Sequence, residues 1–232
     1  MSNDYFKKVL LVSSLFLVIT SCAEKDADKV GDAQQCINKA TKTTALGCLS
    51  GISGLDSEAA NAVKCAAIFI SEGLSDPARM YEIVQNSSQP GNSGVNSAFG
   101  VLAFQGNDSV TDATDVTKST LSSGYCRKSK SPGLMWLSSL TSIATTVATV
   151  ATPPYDASSI QSGMLAIAAG GDPVAQAAIG TAAVTAYTSN CANGGAQQDS
   201  QFCADFAAQI NACGGSSNAA CIGLNLATQY GN

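Results

Sequence analysis

The apolar positions of this chain fall into two patterns: one uncharged run near the start, then a succession of stripes at three- and four-residue spacing. The run extends from Val9 to Ile19 behind Lys7 and Lys8, and it is too short to span a bilayer comfortably. After it, the helical period dominates. Residues 34–49 carry Cys36, Ala40, Leu46 and Leu49 and read as one helix or two short ones. Asp56 or Ser57 caps the next, whose stripe is Ala60, Val63, Ala67, Ile68 and Ile70, with Gly73 as its stop. Ser75-Asp76-Pro77 opens another, with Met80, Ile83 and Val84 on its apolar side, so the pair forms an αα-hairpin.

From 87 to 110 the chain reads as a loop-rich connection, interrupted by the apolar stretch Phe99 to Gln105, the one convincing strand-like run. Asp112 starts a helix that leads through Val116 and Leu121 to Cys126. Ser131-Pro132 opens a segment without charge up to Asp156, in which Ser138, Ser142, Thr145, Thr149 and Thr152 lie opposite Leu137, Leu140, Ala144, Val147 and Ala151. That hydroxyl stripe predicts an amphipathic helix packed on the core rather than a membrane span. Pro153-Pro154 ends it. Asp156, then Asp172-Pro173 after Gly170-Gly171, launch two alanine-rich helices. Residues 199–211 give a helix with Phe202, Cys203, Phe206 and Ile210 on one side, and Ser216 or Ser217 caps a last helix bearing Cys221 and Leu224. The expected fold class is all-α, built of disulfide-stapled helical hairpins, with at most one short strand-like segment around 99–105.

The chain has nine cysteines, and Cys22 directly follows the apolar run. A basic start, an apolar core and small residues before a cut are the marks of an export signal. Ile19-Thr20-Ser21-Cys22 resembles the lipobox of bacterial lipoproteins. The resemblance covers residues 1–22 and implies that the signal 1–21 is removed, that Cys22 takes a diacylglyceryl group on sulfur, and that the new amino terminus is acylated. Ala23 stands where an aspartate would favour retention in the inner membrane, so the implied address is the bacterial outer membrane, facing the periplasm or the cell surface.

The remaining cysteines, Cys36, Cys48, Cys65, Cys126, Cys191, Cys203, Cys213 and Cys221, are even in number, as four disulfides of an exported protein require. Eight cysteines allow on the order of a hundred pairings, and the sequence does not choose among them. Cys36 to Cys48 and Cys191 to Cys203 share one interval, too little to establish a duplicated unit. The organisation that follows is a signal at 1–21, a flexible lipid-anchored tether at 22–34, a first helical block at 35–86, the connection at 87–110 and a larger second block at 111–232.

Charge and chemistry narrow the function by exclusion. The net charge is −5, and removal of Asp4, Lys7 and Lys8 with the signal makes it one unit more negative, which disfavours a nucleic-acid footprint. Only 12% of residues are charged, about half the usual share. The chain has no histidine, which removes the usual general base and most zinc sites. No Cys-x-x-Cys pair, nucleotide-binding glycine motif or ordered calcium loop is present, so neither a cofactor nor a metal is expected. Asp56 and Glu58 sit at a helix start, where carboxylates are favoured without catalysis. Arg127, Lys128 and Lys130 form the one basic cluster after the signal and read as a solvated turn.

These exclusions favour a non-catalytic, lipid-anchored interaction or scaffold component, partnered by the membrane through Cys22 and by another envelope protein or further copies of itself. The alternative is a small-ligand binding module with a cavity near Phe99, Phe104, Trp136 and Tyr155. A membrane-perturbing role for the uncharged helices of 131–198 ranks third.

Overall fold

The computed structural model describes residues 25–79, 81, 92–105, 110–192 and 200–232. Within them the chain is all-α and contains no strand. Helix α1 covers 25–37, followed by a 3-10 turn at Ala45–Leu49 and α2 at Glu58–Ser71. After a short helical stretch at 77–79 come α3 (Asn92–Leu102), α4 (Ala113–Lys128), α5 (Pro132–Ala148), α6 (Ala157–Gly170) and α7 (Pro173–Ala186). A π-helical turn, Tyr187–Cys191, extends α7, and α8 (Gln201–Ala212) and α9 (Ala219–Gly231) complete the order.

The helix starts follow from short polar side chains that accept otherwise orphaned backbone N–H groups. Ser57 accepts from Ala60 N at 3.2 Å, Asp156 from Ser159 N at 2.8 Å, and Asp172 from Val174 N and Ala175 N at 2.9 and 3.1 Å. Asp112 and Asp115 form a reciprocal capping box at the start of α4. α9 is capped by Asn218, which accepts from Cys221 N, rather than by either preceding serine. Gly73 and Gly171, with φ of 76° and 62°, make the turns that end α2 and α6.

α5 lies at the centre, against α3, α4, α6 and α7, while α9 packs across α6, α7 and α8. One hydrophobic cluster runs from Ile68 and Phe69 of α2 through Phe99, Phe104, Ile143 and Met164 to Ile222 and Tyr230, so the two blocks suggested by the sequence share a core. A smaller cluster joins Ala33 and Ile37 of α1 and Ile52 to Val63 and Ala67 of α2. Lys64 of α2 is 4% exposed and donates to the carbonyls of Ser53 and Leu55 at 2.9 and 2.5 Å, which holds the loop between the 3-10 turn and α2 in place. The alanine and glycine content of α7 and α9 lets their backbones meet. A Cβ added at Gly180 would collide with the carbonyl of Ala219, and one at Gly223 with that of Gln176.

Three expectations are corrected. Residues 25–34, read as flexible tether, belong to helix α1, because Ala33 and Ile37 bring one side of an otherwise polar segment into the smaller cluster. Residues 99–102, read as strand-like, are the last turn of α3: Val95, Phe99 and Leu102 recur at helical spacing on one buried face. Arg79 donates to the carbonyls of Val101 and Ala103, both at 2.7 Å, and so satisfies the carbonyl end of α3.

Third, the hydroxyl stripe of α5 is not a solvent face. Of its members within the helix, Ser138 and Thr145 are 2% and 1% exposed and Ser142 is half-buried, whereas Thr149 and Thr152, past the end of the helix, are exposed; from Ser138 to Ala148 the helix is buried or half-buried all round. The hydroxyls tolerate this because they donate to carbonyls one turn back, Ser138 to Met135 at 3.0 Å and Thr141 to Ser138 at 3.0 Å. No helix among the described residues is long and apolar enough to cross a membrane. The predicted signal 1–21, Cys22, Met80, Ile83, Val84 and the connection residues 87–91 and 106–109 lie outside the described residues.

Candidate functional site

The eight cysteines after Cys22 form four disulfides: Cys36–Cys48, Cys65–Cys126, Cys191–Cys203 and Cys213–Cys221. Three close short loops between successive helical pieces. Cys65–Cys126 instead spans 61 residues of sequence and ties α2 to α4 inside the main core. The repeated interval seen in the sequence has a local origin. Cys36 and Cys191 each lie in the last turn of a helical piece, and Cys48 and Cys203 lie in the next one.

The aromatic side chains proposed to line a cavity fill their space instead. Phe99 and Phe104 are both 0% exposed. Phe99 meets the edges of Phe202 and Tyr230, and Phe104 that of Phe69 at 6.0 Å. Trp136 packs on Phe202 and Phe206, and the Tyr155 hydroxyl accepts from Thr111 N at 2.8 Å. These contacts pack all four side chains against neighbours among the described residues.

The buried ionisable groups are structural. Lys118 bridges Glu72 at 2.7 Å and Asp115 at 3.7 Å, joining α4 to the end of α2. Burial, with the Glu72 carboxylate also near, raises the Asp115 pKa, while the hydrogen bond and charge of Glu72 lift that of Lys118 against its own burial. Tyr230 donates to Asp205 Oδ2 at 2.6 Å, and Gln201 donates to Asp205 Oδ1 at 2.8 Å. No group of His, Cys, Asp or Glu among the described residues is arranged to hold a metal.

The basic cluster is divided by its ion pairs. Lys128 meets Asp56 at 2.8 Å and Lys130 meets Glu58 at 2.5 Å, so the two carboxylates weighed as an acid–base pair serve as counter-ions. The hydrogen bond from Lys128 lowers the Asp56 pKa, and the bond to Glu58 raises that of Lys130. The Arg127 side chain makes no ion pair or hydrogen bond among the described residues.

Arg127 lies on the rim of a groove of about 330 Å³ whose walls are α4 and α7 and whose floor is α5. α4 contributes Thr120, Ser123, Gly124 and Arg127; α5 contributes Met135, Ser138, Ser139 and Ser142. α7 contributes Thr181 and Thr185 with three alanines between and around them. Met135 is the one apolar side chain larger than alanine in the lining. Arg127 and part of the α5 stripe are legible in the sequence, but this concavity is not. Its signal was hydroxyl and alanine residues at helical spacing on three separate helices, and only their packing order makes those faces one surface.

No protein-family model, curated protein or solved structure matches the chain.

Proposed function

We propose that this is an exported, lipid-anchored protein of the bacterial envelope that acts as a non-catalytic interaction component, held at the outer membrane through Cys22 and partnered by another envelope protein or by copies of itself. The observation that carries this reading is the pairing of all eight downstream cysteines, which leaves Cys22, at the end of the lipobox-like segment, as the odd one of nine. Four disulfides fit an oxidising compartment. The helical body offers a rigid, weakly charged surface, and its buried ionisable groups are consumed by structural contacts.

The test is recovery of the full-length protein from native envelopes beside a Cys22→Ala control. Intact mass is measured before and after reduction, and co-purifying proteins are identified. The expected result is loss of residues 1–21, an added diacylglyceryl and acyl mass on Cys22, eight oxidised thiols, and a stoichiometric partner that the control loses. An unmodified Cys22 on a processed soluble chain would overturn the anchoring. A lipidated protein with no stoichiometric partner and no self-association would overturn the interaction role.

A further inference from the structure

We propose that the groove between α4 and α7 binds a short saccharide carrying a carboxylate, with Arg127 holding the carboxylate and the hydroxyls of the two walls, with Ser142 on the floor, holding the sugar hydroxyls. This goes beyond the anchoring reading and does not depend on it.

The inference rests on where the hydroxyl protons of the groove go. On the walls, Thr120 donates to Val116 O and Thr185 to Thr181 O, both at 2.9 Å and both on their own helices. Ser123 reaches the Ser138 carbonyl at 3.4 Å, while the hydroxyls of Ser138 and Ser139, residues 2% and 3% exposed, are spent on Met135 O beneath the floor. Each hydroxyl has one proton and two lone pairs, so a hydroxyl whose proton is committed inward offers the groove an acceptor. The lining is therefore rich in acceptors and poor in donors. Ser142 and Thr181, whose hydroxyls make no bond among the described residues, are free to act as either.

A ligand that complements such a surface brings hydroxyl donors of its own over most of its length. Sulfate brings only lone pairs and meets a single cation, and phosphate at neutral pH adds no more than one or two P–OH donors at one point. An amphipathic peptide helix requires apolar anchor pockets, and the groove offers Met135 alone. Arg127 supplies the second, independent requirement. Its two basic neighbours are neutralised by Asp56 and Glu58, while its own guanidinium, a planar fork matched to a carboxylate, is left unpaired beside the groove. The volume of about 330 Å³ lies at the small end of ligand sites, which suits a saccharide of one or a few rings.

Isothermal titration of the full-length, detergent-solubilised protein with digalacturonate tests the proposal, with its methyl ester, lactose and sodium sulfate as the comparison probes. Saturable one-site binding of digalacturonate is expected, weakened about tenfold or more by esterification or by Arg127→Ala, as for loss of a charge-assisted bond. Ala178→Trp, which fills the groove, is expected to abolish it. Arg127 is exposed, so its variant is expected to unfold at the wild-type temperature, and affinity then reports the site alone. Absence of binding, an affinity unchanged by Arg127→Ala, or sulfate competing as well as digalacturonate would each overturn the proposal.

Discussion

At the scale of single residues, the tightest constraints lie where a polar group is buried or a backbone comes close. Tyr230 is 1% exposed, and burial, reinforced by the Asp205 carboxylate, pushes its pKa well above the ordinary 10.0. The unfolded phenol ionises near that ordinary value and the folded one higher, so this group's stabilisation is fully present below pH 10 and is lost as pH rises beyond it. In urea unfolding followed from pH 8 to pH 11, Tyr230→Phe should lose part of the alkaline decline seen in the wild type. At neutral pH the variant should be less stable by about 1–3 kcal/mol, because buried Asp205 loses a donor. A decline equally steep in both proteins would count against the buried pair. Gly180 and Gly223 are constrained by contact rather than charge: alanine at either forces α7 and α9 apart and should cost about 1–3 kcal/mol. Gly124→Ala, with open space around it in the middle of α4, should instead stabilise by about 0.5–1 kcal/mol. Thermal denaturation of the three variants checks both signs.

At the scale of the element, α5 shows how a helix rich in serine and threonine can occupy a core. Its hydroxyls are of two kinds. Thr141 donates to a carbonyl of its own helix, whereas Thr145 accepts from the backbone N–H of Phe104 at 3.0 Å and so supports the chain leaving α3. The two substitutions to valine are alike in shape and differ in what they orphan. Thr145→Val leaves a buried N–H without its acceptor and should cost about 1–3 kcal/mol, while Thr141→Val should stay within about 1 kcal/mol of the parent. Equal losses from the two in chemical denaturation would contradict that distinction. Bonds of the same kind on α4 and α7 turn the hydroxyls of Thr120, Ser123 and Thr185 into acceptors at the groove.

At the scale of the whole molecule, the disulfides differ in what they constrain. Cys65–Cys126 closes 61 residues and Cys213–Cys221 only 8. Loop-closure entropy then predicts that replacing the first pair by serine destabilises by about 4 kcal/mol and the second by about 2.5 kcal/mol. The buried position of the first pair adds to its share, because Cys65 and Cys126 are both 0% exposed. Urea unfolding of the two double variants under non-reducing conditions checks the order. The reverse order would mean that the link between α2 and α4 is not what holds the core in register.

What the sequence determined by itself was local. Caps such as Ser57, Asp112, Asp156 and Asp172, breaks such as Gly73 and Gly171, and the three-and-four spacing of apolar residues mark helices through contacts within a few residues. Cysteine parity likewise announced four disulfides without their partners. The tertiary structure decided what depends on residues distant in sequence: that α1 and α3 are held as helices by faces buried on other elements, that α5 is enclosed, and that Phe99, Phe104 and Trp136 fill their space. It also decided that Arg127 is left unpaired while Lys128 and Lys130 are matched by Asp56 and Glu58, some seventy residues away. The physical reason is that periodicity reports which residues share a face, but burial and pairing depend on which other face is placed against it.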